Sequence, residues 1–145
     1  MHKFLSLPKP TQAAAIQETA AQMQLHPVPV EKDFWVCVLL RELFALNCVR
    51  DRLIFKGGTS LSKAYGLIDR FSEDIDLSVD SSAFDFPLGP EDYDLPVCEK
   101  AERLRSLFRE AEQFLKEKFV PELEERLSNI VPDGGERIKA TFRRE

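Results

Sequence analysis

Leu53-Ile54-Phe55-Lys56-Gly57-Gly58-Thr59-Ser60-Leu61, followed after a short gap by Arg70-Phe71-Ser72-Glu73-Asp74-Ile75-Asp76-Leu77-Ser78-Val79, decides how this chain folds. Leu53 to Phe55 is a short apolar run stopped by two glycines, which predicts a buried strand. Ser60 to Tyr65 predicts a short helix closed by Gly66. From Asp74 to Val79 the residues alternate, with Ile75, Leu77 and Val79 on one face and Asp74, Asp76 and Ser78 on the other. That period of two predicts a half-buried strand. If the two strands are neighbours in one sheet, the Gly-Gly turn and the aspartate pair lie at the same end.

Upstream, an Ala-rich run leads to Met23, with Thr11 expected as its N-cap and His26-Pro27-Val28-Pro29 as its stop. A second helix is expected from about Val30 to Leu46. Trp35, Val38, Leu39, Leu43 and Leu46 recur at spacings of three and four and predict one core-facing stripe. Glu31 and Asp33 are expected in its first turn, where negative charge suits the helix dipole, and Asn47 is expected to stop it.

Downstream, residues 80 to 97 hold Pro87, Pro90 and Pro96 and read as a long loop. A long helix is expected from about Val97 to Leu127, with Leu104, Leu107, Phe108, Ala111, Leu115 and Phe119 on its apolar face and a kink or division at Pro121. Pro132-Asp133-Gly134-Gly135 predicts a turn, and Ile138, Ala140 and Phe142 a last strand. The organisation is one domain over residues 1–145. Within it are an N-terminal helical extension (1–27), a core (28–80), and a long helix with a terminal strand (97–145).

The strand, Gly-Gly, helix, acidic-strand unit has a chemical reading. Glycines let backbone N–H groups approach a ligand without Cβ obstruction, and N–H groups at such a turn favour phosphate. Thr59 and Ser60 add hydroxyls there. Asp74 and Asp76 on one strand face repel each other unless a cation lies between them. Mg²⁺ (or Mn²⁺) supplies that charge through oxygen ligands shared with substrate phosphates. Lys63, Arg70 and Ser72 are near enough in sequence to contribute phosphate contacts.

Phe55-Lys56-Gly57-Gly58-Thr59-Ser60-Leu61 with Arg70 to Leu77 resembles the AbiEii/AbiGii toxin family of nucleotidyltransferases, within the DNA polymerase β-like superfamily. Glu31-Lys32-Asp33-Phe34-Trp35 resembles that family's entry helix. The likeness is closest over about residues 28 to 80. It implies an α/β (α+β) fold with a small mixed sheet and packed helices. It also implies Asp74 and Asp76 as catalytic metal ligands, and Gly57, Gly58, Thr59 and Ser60 as nucleotide-binding residues. The implied reaction moves a nucleotide from an NTP to an acceptor, such as RNA (including tRNA) or protein, in a toxin–antitoxin or abortive-infection system with a cognate antitoxin. One departure stands out: the third carboxylate usual in the superfamily is not evident, and nothing marks Glu136 for that role. The abrupt end after residues 138 to 142 reads as the N-terminal portion of a longer protein or as a naturally shortened one, and without the third acid the isolated chain is expected to be catalytically incomplete.

Composition narrows the alternatives. With 145 residues, 43% hydrophobic and 31% charged, the chain is long enough for one real core. A net charge of −5 argues against a dedicated nucleic-acid-binding module, which carries a basic footprint. Cys37, Cys48 and Cys98 form no CxxC pair, which fits a reducing cytoplasm better than a disulfide framework or zinc site. No signal peptide, bilayer-length apolar run or internal repeat is found. Two rivals remain: a non-catalytic nucleotide- or partner-binding module, and a metal-dependent phosphodiesterase using the same aspartates. The uncovered terminal strand also suggests a homo-oligomer formed through its edge.

Overall fold

The computed structural model describes residues 2–68, 74–84 and 89–131. In order, the elements are α1 (His2–Leu5), α2 (Lys9–Met23), α3 (Pro27–Phe44), β1 (Leu53–Lys56), α4 (Gly57–Lys63), β2 (Asp76–Val79), α5 (Val97–Phe114) and α6 (Val120–Ile130). Two short 3₁₀ turns, Ser81–Ala83 and Pro90–Tyr93, break up the segment expected as a long loop. The fold is mixed α/β, as expected. Among the described residues its sheet is the antiparallel pair β1–β2. The turn expected at 132–135, the last strand and Glu136 lie outside the described residues.

Both early helices start sooner than the sequence reading places them, for one reason. Proline lacks an N–H, but the first turn of a helix has no use for one. Pro10 therefore sits inside the first turn of α2, and Pro8 precedes the helix. The backbone N–H of Thr11 donates to the Pro8 carbonyl at 2.9 Å, so Thr11 is a helical residue rather than the cap. The helix ends at Gln24 in the left-handed region, φ 57°. Likewise Pro27 and Pro29 open α3 instead of closing α2, and His26 caps it by accepting from the Val28 N–H through Nδ1 at 3.3 Å. Glu31 and Asp33 consequently fall beyond the first turn. The helix stops at Phe44, three residues before Asn47.

The core lies between α3, α6 and the inner face of the sheet. Leu5, Val38, Leu43, Leu46, Val49, Phe114, Leu123, Leu127 and Ile130 are its buried members, and Leu53, Ile75, Leu77 and Val79 are among the residues that pack against it. Trp35, expected in the core stripe, is 37% exposed and sits on the side of α3 turned toward α2. On α5, Leu104 and Phe108 are 44% and 63% exposed. The core contacts come later, from Phe114 and the α6 residues. A π turn, Leu115–Phe119, joins α5 to α6 just before Pro121. Such a turn inserts one extra residue and so rotates the apolar face relative to the straight helical stripe. It also relieves the clash that Pro121 would make with the preceding turn.

Polar ties fix these layers. Buried Glu42 on α3 accepts from Arg41 (2.7 Å) and from Arg126 on α6 (3.1 Å). Glu122 on α6 accepts from the backbone N–H groups of Asn47 (2.7 Å) and Cys48 (3.1 Å) and from the Asn47 amide (3.1 Å). These bonds anchor the loop that delivers the chain from α3 into β1.

Candidate active site

The register of the sheet brings the expected site residues together. Leu53 pairs with Val79, Ile54 with Ser78, Phe55 with Leu77 and Lys56 with Asp76. Leu53, Leu77 and Val79 turn toward the core. Ile54, Lys56 and Asp76 are exposed on the other side. Strand β1 ends at Lys56, so the Gly-Gly turn begins directly opposite Asp76. The aspartates and the turn do share one end of the sheet.

The contact is close. Gly57 has φ +71°, a conformation glycine adopts without penalty, and the Asp76 carboxylate fills the place where a Cβ on Gly57 would stand. Helix α4 opens at Gly57 with no side-chain cap from Lys56, and Gly58 lies in its first turn. The two hydroxyls expected to face phosphate are turned inward. Thr59, 1% exposed, donates from Oγ1 to the Asp74 carbonyl at 2.5 Å; Ser60, 5% exposed, donates from Oγ to the Gly57 carbonyl at 2.7 Å. Thr59 thus ties α4 to the residue that starts the acidic run, and Ser60 locks the turn.

Lys63, in the last turn of α4, forms an ion pair with Asp33 on α3. The same pair fixes α4 against α3, and a phosphate contact by Lys63 requires it to open. Arg70 and Ser72 lie outside the described residues.

Asp74 and Asp76 are exposed, and among the described residues neither carboxylate has an ion-pair or hydrogen-bond partner. Two unpartnered hard oxygen donors on one face fit a Mg²⁺-type ion that takes its remaining ligands from substrate phosphates and water. Among the described residues no group of three or more His, Cys, Asp and Glu side chains is placed to hold a metal.

A cleft of about 380 Å³ lies elsewhere, between α2 and α3, walled by Phe4, Gln12, Ile16, Phe34 and Trp35. It includes none of the expected site residues. No helix among the described residues is long and apolar enough to cross a membrane.

A mixed α/β domain with a glycine turn set against an aspartate that opens a strand, and a second aspartate two residues before it, is the arrangement expected of a nucleotidyltransferase. The family model for the nucleotidyl transferase AbiEii toxin of type IV toxin–antitoxin systems matches residues 38–145, and the chain belongs to that family. The match spans the site and runs through α6 to the chain end, further than the segment on which the resemblance was first read. No curated protein and no solved structure matches the chain.

Proposed function

We propose that this protein transfers a nucleotide from an NTP to an acceptor, as the toxin of a toxin–antitoxin pair, with Mg²⁺ or Mn²⁺ bound at Asp74 and Asp76. The observation that carries the reading is the packing of the Asp76 carboxylate against Gly57. It joins a backbone turn open to phosphate and a carboxylate suited to a divalent ion in one small volume.

In this reaction an acceptor oxygen attacks the α-phosphorus, the bond to the bridging oxygen of the β-phosphate breaks, and pyrophosphate leaves. The ion, when bound, neutralises phosphate charge and aligns the attacking and leaving oxygens. Gly57 brings the backbone against the Asp76 carboxylate, and Gly58 in the next position adds no side chain between that backbone and the phosphates. Thr59 and Ser60 hold that backbone and Asp74 in place through their inward hydrogen bonds. RNA, including tRNA, is the acceptor class we favour, with protein as the other. The cytoplasm, where NTPs and RNA are abundant, is the proposed location.

The experiment is incorporation of labelled NTP into RNA and into protein, using the full-length gene product, with Mg²⁺, with Mn²⁺ and with chelator. Asp76→Asn should abolish incorporation, as should the chelator. Undiminished turnover by the variant would sink the assignment.

A second reading is nucleotide binding without transfer. The inward-turned hydroxyls, the Lys63–Asp33 pair and a site with two aspartates among the described residues favour it. It predicts NTP affinity with no label in any acceptor.

A further inference from the structure

We propose that Lys56 is the residue that holds the β- and γ-phosphates of the incoming NTP. The inference rests on the nucleotidyltransferase reading and adds to it a residue that binds the substrate. Lys56 is the last residue of β1 and the cross-strand partner of Asp76. Directly opposed residues of an antiparallel pair project to the same face with Cβ atoms about 5 Å apart. The Lys56 side chain and the Asp76 carboxylate therefore flank the Gly57 turn from adjacent strands.

The placement matters because of charge. A triphosphate brought against Asp74 and Asp76 adds several negative charges to a face that already carries two. A divalent ion at the aspartates offsets part of that repulsion, and the rest needs a cation. Lys63 is engaged by Asp33 on α3. Lys56 is exposed, lies on the site face, and has no ion pair within 4.0 Å among the described residues.

Its backbone is extended, φ −128° and ψ −172°, and the chain enters the Gly-Gly turn immediately after it. A flexible four-carbon stem carrying a compact charge suits a phosphate tail, which needs neutralising more than it needs planar recognition. The ordinary role for a charged residue opposite Asp76 is a cross-strand ion pair that stabilises the sheet. That pair is not formed, although the register permits it.

The test is binding of an NTP, its NDP and its NMP, in the presence of Mg²⁺, to the wild-type protein, Lys56→Gln and Lys56→Arg, alongside Asp76→Asn. Binding of the end phosphates by Lys56 predicts that Lys56→Gln weakens NTP binding about tenfold or more, the scale of a hydrogen bond to a charged group. The NDP should lose less and the NMP almost nothing, and Lys56→Arg should restore much of the NTP affinity. Equal losses for all three nucleotides, or no loss for the NTP, would overturn the assignment of Lys56 while leaving the nucleotidyltransferase reading intact. A wild-type protein that binds no NTP, with incorporation also absent, would remove both. Thermal unfolding of each variant separates loss of the fold from loss of the contact, and Lys56→Arg supplies the comparison if Lys56→Gln does not fold.

Discussion

The carboxylate of Asp76 occupies the space that a Cβ on Gly57 would need, so any other residue at 57 must push that carboxylate away from the turn. The register pair Lys56–Asp76 produces that contact. One more residue along β1, the backbone turns under the carboxylate.

Gly57→Ala should therefore do two kinds of damage. The left-handed backbone at φ +71° costs a non-glycine residue about 1–2 kcal/mol, and the new methyl displaces Asp76. Gly66 is the control. It has φ +61°, but among the described residues nothing lies within 4 Å of its Cβ position. Gly66→Ala should lower stability by about the backbone cost alone and keep nucleotide incorporation. Gly57→Ala should lower stability further and lose incorporation. Chemical denaturation and the labelled-NTP assay together check both statements; equal behaviour of the two variants would refute the close-packing argument.

Thr59 tests how Asp74 is held. Its buried hydroxyl donates to the Asp74 carbonyl across fourteen intervening residues, and Thr59→Val keeps the shape while removing the donor. The stability cost should be about 1 kcal/mol, the usual net worth of such a bond. Incorporation should fall by more than that loss explains, because the start of the acidic run loses its tether. Thr59→Ser, which keeps the hydroxyl, should recover activity. A Thr59→Val enzyme with wild-type turnover would show that Asp74 needs no such support.

The acidic strand was legible in sequence because Ile75, Leu77 and Val79 alternate with Asp74, Asp76 and Ser78, but it begins at Asp76 rather than Asp74, because β1 ends at Lys56 and offers no partner beyond it. The shared end of turn and aspartates followed from pairing the two strands. The hydroxyl directions were not legible: Thr and Ser at a helix start serve a ligand or the backbone equally well, and only three-dimensional packing turns Thr59 toward Asp74. The early helix boundaries misled because Thr11 looks like a cap and Pro27 and Pro29 look like breakers, whereas proline in a first turn costs no hydrogen bond. The face of α5 misled because the π turn at Leu115–Phe119 shifts the phase of the helix; Pro121 announced the break but not the rotation that comes with it. Nothing in the sequence marks Glu42 or Glu122 as buried anchors; Arg126 and Asn47, which they hold, are 84 and 75 residues away.

Glu122 gives the protein an acid-sensitive tie. Burial alone would push its carboxyl up, but hydrogen bonds from the Asn47 and Cys48 backbone outweigh burial and hold it below the ordinary value of 4.5. A carboxylate with a depressed value in the folded state stabilises the fold above its unfolded value and loses that contribution as the pH falls below it. Stability should therefore decline from about pH 5 downward, and Glu122→Gln should flatten part of that decline while lowering stability at pH 7. Urea unfolding of both proteins across pH 3 to 7 measures the difference. Parallel curves would show that other carboxyl groups carry the acid response.

The same tie governs thiol chemistry. Burial, then the hydrogen bond to Glu122 and its negative charge, push the Cys48 thiol up to about 12 from 9.0. Since the thiolate is the nucleophile, Cys48 at pH 8 presents about a thousandfold less of it than an unperturbed cysteine would. Cys98, at the start of α5, is exposed. Iodoacetamide at pH 8 should label Cys98 first and leave Cys48 largely unmodified, with mass spectrometry of tryptic peptides reading each site. Glu122→Gln removes the charge and weakens the clamp on the Asn47–Cys48 backbone, so it should speed labelling of Cys48 well beyond any change at Cys98. Fast labelling of Cys48 in the wild-type protein would mean that the α3–β1 loop opens from α6 in solution, and that Glu122 does not hold it.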